Sequence, residues 1–176
     1  GTIQGLRNLF RKQETERVPV DLNVLIEEVL RLLRSGIEDK LISVHLARAQ
    51  ALPLVFGDAI QLRQVVLNLL VNAEDAITTA ADGHGEIGIT TSWSDGHICV
   101  AITDNGIGAK ESELERMFER FVSSKPQGLG MGLAISRSIV EAHDGRIWAT
   151  ANRERGLTFH IELPPPSPAG GGHHKP

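Results

Sequence analysis

Two runs of alternating residues, "EIGITTSW" and "HICVAITD", are separated only by the short polar stretch "SDG". Period-two alternation puts every second side chain on one face of a strand, and Asp-Gly supplies the positive φ angles that a tight hairpin needs. The chain must therefore hold an antiparallel pair with one apolar face and one polar face. "RIWATA" and "LTFHIEL", joined around "NRERG", predict a second hairpin of the same kind. "LISVHLA" and "LPLVFGD" read as further extended segments.

A sheet with one apolar face needs helices to cover it. Asp21 is the expected N-cap of a helix in "VPVDLNVLIEEVLRLL", with Leu22, Leu25, Ile26, Val29, Leu32 and Leu33 on one face. Asp58 is expected to cap a long helix from Ala59 to about Thr79. Ile60, Leu62, Val65, Val66, Leu67, Leu69, Leu70 and Val71 make that helix apolar over much of its circumference, as in a buried helix. A short helix is expected from Glu111 to about Phe121, and a longer one from Leu129 to His143 with Gly145 available as its C-cap. The fold class is α+β: a two-layer α/β sandwich, mostly antiparallel, with helices on one face. The elements do not alternate as βαβ and no strand leads directly into a GxGxxG turn, so a dinucleotide-binding fold fits poorly. The G-x-x-x-x-G-K-[ST] phosphate loop is absent.

The ends differ from this body. Ile3, Leu6, Leu9 and Phe10 have helical spacing and read as the last turns of a longer helix. The tail "PPPSPAGGGHHKP" is expected to be disordered. The division is 1–17, 18–164 and 165–176. With 18 basic and 22 acidic residues, a formal net charge of -4 and no long basic run, nucleic acid is not the expected partner. A lone cysteine, Cys99, excludes an internal disulfide. No window approaches ~20 continuous apolar residues and no secretory signal is visible, so the cytoplasm is the expected compartment of this domain, within a parent that is either soluble or membrane-anchored.

Three clusters carry candidate chemistry. Gly128, Gly130 and Gly132 in "GLGMG" precede an apolar-periodic helix, where close backbone approach and unpaired N–H groups suit phosphates; a plain glycine turn has the same pattern. Asp104 ends an alternating strand and can accept a hydrogen bond from an exocyclic amine such as that of adenine. Gly106 and Gly108 would let a flat ring approach, though Asp-Asn-Gly is also a common turn former. Asn68 and Asn72 share a helical face and need partners or a ligand. Asn72 can offer its oxygen to Mg²⁺, or an asparagine here can tie down a loop. Glu74 and Asp75 are near but directed differently. Lys125 in "SSKPQG" is either a mobile charge for phosphates, in a lid limited by Pro126, or solvated surface.

In order, "NLLVNAEDA", "DNGIG", "FERF" and "GLGMGLAI" strongly resemble the catalytic ATP-binding domain of sensor histidine kinases, within the ATPases of Bergerat-type fold. The resemblance spans roughly Val20 to Pro164. It implies that Asn72 binds Mg²⁺, that Asn68 helps around the phosphates and that Asp104 recognises the adenine amino group. It also implies that Gly106 and Gly108 line the base, with Phe118 and Phe121 beside the lid. Gly128, Leu129, Gly130, Met131, Gly132 and Leu133 would surround the phosphates, with Asp75 in the nucleotide-binding set and Thr158 near the adenine aspartate. Lys125 matches a lysine of a short-lid subgroup, usually "TTKP", that includes oxygen- and nitrogen-responsive sensors. Arg120 stands where many relatives have proline, and Asp144 where glycine is usual.

Related hydrolases carry a catalytic glutamate at the Asn68 position. An amide cannot activate water as a base, which favours phosphoryl transfer over hydrolysis. None of the seven histidines lies in the "HE"-type helix motif of a phosphoacceptor. The resemblance therefore implies that residues 1–17 are the remnant of a dimerisation helix. The γ-phosphate of ATP would pass to a histidine on a separate dimerisation domain, then to an aspartate on a response regulator. The isolated fragment is expected to be monomeric and its parent homodimeric. The alternatives are a degenerate regulatory ATP-binding domain and a serine kinase of the anti-sigma-factor type.

Overall fold

The computed structural model describes residues 16–81, 83–119 and 132–165. All but Glu16 of the expected helix from Thr2 to Glu16, the segment 120–131 and the tail from 166 lie outside them. The chain opens with strand β1 (Val18–Val20), which pairs antiparallel with β3 (Val55–Gly57), Val20 opposite Val55. This small sheet stands where the sequence reads as the lead-in to a helix. Three residues carry no alternation, and the partner lies more than 30 residues on.

Helix α1 (Leu22–Asp39) starts at Asp21, whose side chain accepts from the N–H of Asn23 at 2.9 Å. Leu22, Leu25, Ile26, Val29 and Ile37 are buried, but Leu32 is 74% exposed. At 100° per residue Leu32 falls within about 20° of the buried Leu25, so its exposure reflects its place in the thinly covered second half of the helix and not its face. Helix α2 (Ala59–Ala80) is capped by Asp58, which accepts from the N–H of Gln61 at 3.0 Å. It buries Leu62, Val65, Val66, Leu69, Leu70 and Ala73. The helix is less buried than its apolar circumference suggests, because Ile60 is 74% exposed and Val71 is exposed too.

The main sheet has five strands in the order β2 (Ile42–Ala47), β4 (Gly85–Ser94), β5 (His97–Asp104), β7 (Leu157–Leu163) and β6 (Arg146–Ala151). The β2–β4 pair is parallel and the other three are antiparallel. Both hairpins form as expected. Asp95 and Gly96 at the β4–β5 turn have φ of 51° and 75°, the conformation of a type I′ turn. Every second residue of β7, from Leu157 through Phe159 and Ile161 to Leu163, is buried under the helices. Burial of a side chain such as Phe159 is worth ~1.5–3 kcal/mol.

No described element covers the opposite sheet face, and its side chains pair with one another. Trp148 stacks on His160 with ring centroids 5.0 Å apart, and Arg146 lies 4.5 Å from the Trp148 ring centre. Thr103 and Thr158, directly opposite across β5 and β7, bond at 2.9 Å. Thr150 bonds to His160 at 2.8 Å.

The expected helix from Glu111 is instead two 3₁₀ turns, Glu111–Glu113 and Arg116–Phe118. The four-residue spacing of Leu114 and Phe118 reads as helical. Two tight turns bury the same two side chains while leaving Glu111, Glu113 and Glu115 in solvent. Helix α3 is described over Gly132–Ala142. Its end is a Schellman motif: Gly145 N–H donates to Val140 O at 2.9 Å and Asp144 N–H to Glu141 O at 3.0 Å. The left-handed residue is Asp144, with φ of 59°, and not the expected Gly145. Gly145 is needed for space, since a Cβ there would stand 2.5 Å from Glu162 O. Asp144→Gly should relieve the left-handed conformation and stabilise the fold by about 0.5–1 kcal/mol, read as a higher denaturant midpoint with unchanged slope.

Candidate functional site

Strand β5 ends in Asp104, only 3% exposed, with its side chain on the helix-covered face. Its Oδ1 accepts from the N–H of Gly106 at 2.8 Å, and the N–H of Leu157 also reaches the carboxylate. Burial pushes the Asp104 carboxyl above its ordinary value of 3.8, and the two N–H groups hold back part of that rise. The turn reading of Asp-Asn-Gly is thus realised, and on a carboxylate that still has acceptor capacity.

Gly106 is buried against α2, where a Cβ would stand 2.5 Å from the carbonyl carbon of Ala76. The next N–H, of Ile107, donates to Ala76 O at 3.2 Å. The smallness of Gly106 thus serves the strand–helix contact. Gly108 has φ of 67°, and a Cβ there would meet Gly156 N at 3.4 Å.

Asn68 and Asn72 stand one turn apart on α2, both half-buried. The Asn68 amide nitrogen donates to Gly132 O at 3.2 Å and to Ser136 Oγ at 3.3 Å, joining α2 to the first turn of α3. Among the described residues, none hydrogen-bonds to the Asn72 side chain. Glu74 turns the other way, into the core, where Lys40 meets its Oε2 at 3.0 Å. Asp75 is half-buried, and its carbonyl accepts from the Thr79 hydroxyl at 2.8 Å. Leu133 packs against the core. Phe118 is a core residue, edge-on to Phe159 at 6.1 Å and covered by Arg137 at 4.4 Å. Phe121, Lys125, Gly128, Leu129, Gly130 and Met131 lie outside the described residues. Among those described, no three His, Cys, Asp or Glu side chains converge on a metal site.

Thr158 is not beside the Asp104 carboxylate, contrary to expectation. It alternates with Leu157 and Phe159, so it points to the uncovered sheet face. There its hydroxyl donates to Asn152 Oδ1 at 2.6 Å and meets Thr103. The group at the carboxylate is the backbone N–H of Leu157. Two residues of the β6–β7 turn also hold the site. Asn152 donates to the backbone oxygen of Asp104 at 2.8 Å, and Gly156, with φ of 87°, packs directly on the Asp104 carbonyl. A glycine closing the polar hairpin turn "NRERG" is the signal that points to this positive φ. An open cleft of about 470 Å³ lies between this turn and Ile107–Lys110, but neither Asn68, Asn72 nor Asp104 lines it. Gly156→Ala should cost at least about 2 kcal/mol in denaturant unfolding, because it adds both left-handed strain and a clash with Asp104.

The fold and these motifs have counterparts. Residues 57–167 match the model of the histidine kinase-, DNA gyrase B- and HSP90-like ATPases. The sensor protein FixL of Bradyrhizobium diazoefficiens is 36% identical over 163 residues, covering 92% of this chain and 32% of that protein. The first curated relatives are all much longer, and the chain spans 17%, 32% and 37% of them. Full-length ShkA, crystallised in complex with AMPPNP, superposes with a TM-score of 0.76 at 30% identity, over 86% of this chain and 31% of that one. The histidine kinase ThkA, in complex with the response regulator protein TrrA, gives a TM-score of 0.73 at 28% identity, over 92% and 46%. The chain belongs to the histidine kinase-, DNA gyrase B- and HSP90-like ATPase family, and within it is the ATP-binding catalytic domain of the sensor histidine kinase type.

Proposed function

We propose that this domain binds ATP with Mg²⁺ and delivers the γ-phosphate to a histidine on a separate dimerisation domain, from which a response-regulator aspartate takes it. The observation that carries the reading is the buried Asp104 carboxylate, held at the strand end by backbone N–H groups yet able to accept from the exocyclic amine of adenine. Asn72 offers an amide oxygen to Mg²⁺, and no described neighbour competes for it. Held there, the cation would supply positive charge against the phosphates during transfer. Asn68, Gly132 and Leu133 flank the phosphates at the start of α3. Lys125 and the segment Gly128–Met131 would meet the phosphates, with Phe121 beside the lid. Asp75 belongs to the same set on α2.

In the transfer, a nitrogen of the acceptor imidazole bonds to the γ-phosphorus as the bond to the bridging oxygen breaks, and ADP leaves. The chain's own groups position the reactants and balance charge. An amide at position 68 leaves no base there to activate water. The AMPPNP bound to ShkA and the response regulator bound to ThkA support both halves of this reading. The "SSKP" segment further aligns the domain with short-lid sensors, working in the cytoplasm within a homodimeric parent. No helix among the described residues is long and apolar enough to cross a membrane.

Calorimetric titration with ADP tests the reading. Asp104→Asn should weaken binding at least about tenfold, since a charge-assisted acceptor is lost. Equal affinity in the two proteins would remove Asp104 from the adenine site. Binding requires the ionised carboxylate, so wild-type affinity should hold at high pH and fall on acidification. Burial raises the carboxyl, so the decline should begin at a higher pH than an ordinary value of 3.8 would give.

A further inference from the structure

We propose that Ser136 is a positioning residue that fixes the Asn68 amide so that its oxygen, not its nitrogen, is presented to the cation. The proposal rests on the nucleotide-binding reading. Ser136 is fully buried, at 0% exposure, on the first turns of α3. Serine is a poorer helix former than alanine, and a buried hydroxyl must find partners. Its Oγ–H donates back along the helix to Gly132 O at 2.8 Å. With that proton committed, the Ser136 oxygen can only accept. Gly132 O, as a carbonyl, can only accept as well.

The Asn68 side chain meets both, at 3.3 Å and 3.2 Å, through one atom, Nδ2. An amide nitrogen carries two N–H donors, so each acceptor receives one. Turning the amide over would set Oδ1 against the Gly132 carbonyl with no proton between them. The network therefore decides the amide orientation. Because the amide is planar, Oδ1 then points away from α3, and no described residue donates to it. Asn72 stands one turn further along the same face. Two amide oxygens are thus offered along α2, the donor type that Mg²⁺ takes. Without the Ser136 hydroxyl, one of the two contacts that hold the amide is gone. The Gly132 carbonyl still repels the oxygen, but a side chain held by one contact instead of two wanders from this rotamer, and its oxygen then faces the cation for a smaller share of the time.

Two readouts test this on wild type and Ser136→Ala: ADP titration with and without Mg²⁺, and the side-chain amide resonances of Asn68, assigned with Asn68→Asp. The alanine variant should fold, because it removes one atom and suits a helix. It should lose about fivefold of the affinity that Mg²⁺ adds, while metal-free ADP binding stays the same. The two Asn68 amide protons should shift and lose their separation. An unchanged Mg²⁺ increment, or unmoved amide resonances, in a variant of a binding wild type would overturn this proposal alone. A wild type that binds no ADP would overturn both this proposal and the nucleotide reading.

Discussion

Helix α2 is pinned at its start, its middle and near its end, and the rest of the molecule is arranged around those ties. At its start the N–H of Asp58 donates to Nε2 of the buried His143 at 3.0 Å, while Nδ1 of the same ring donates to Ile139 O at 2.7 Å. A neutral imidazole with its proton on Nδ1 satisfies both partners at once. In the middle, Asn68 bonds to the first turn of α3. Near the end, Gly106 and Ile107 close on Ala76. The two ties to α3 lie at opposite ends of that helix, so it runs antiparallel to α2. The third tie brings the end of β5 to the same helix. Asp104, the asparagines and the start of α3 thereby share one rigid frame.

That frame holds a compromise at Asp104. A carboxylate at 3% exposure is costly, and a site for an exocyclic amine needs one there. Two backbone N–H groups reduce the cost, and both come from tightly constrained positions: Gly106 against a helix and Leu157 after the left-handed Gly156. Asn152 adds a bond to the Asp104 carbonyl. The turn between β6 and β7 therefore belongs to the site, although it holds none of the motifs that the resemblance rests on.

Much of the framework was legible in the sequence, because its signals are local. The two hairpins follow from alternation, and the helix starts at Asp21 and Asp58 follow from side chains that reach their own backbone. The misses have non-local or competing causes. β1 exists only because β3 lies beside it. Asp144 takes a conformation usually left to glycine because the neighbouring Gly145 is needed for clearance under Glu162. Leu114 and Phe118 meet a helical spacing through two tight turns. Thr158 is a different case. The alternation of Leu157, Phe159 and Ile161 already sends it to the uncovered face, a parity that similarity of sequence alone does not carry. For the candidate site, the strand end and the helix face were readable. The partners of Asn68 and the turn that supports Asp104 depend on residues 64 and 48 positions away.

The sheet face opposite the helices has a consequence for how many layers the fold requires. Trp148 lies between a guanidinium and an imidazole, and the threonines bond across the strands, so the face meets its own needs. Among the described residues, a surface matched in this way can stand in water, so the sheet needs no second layer on that side to stay folded.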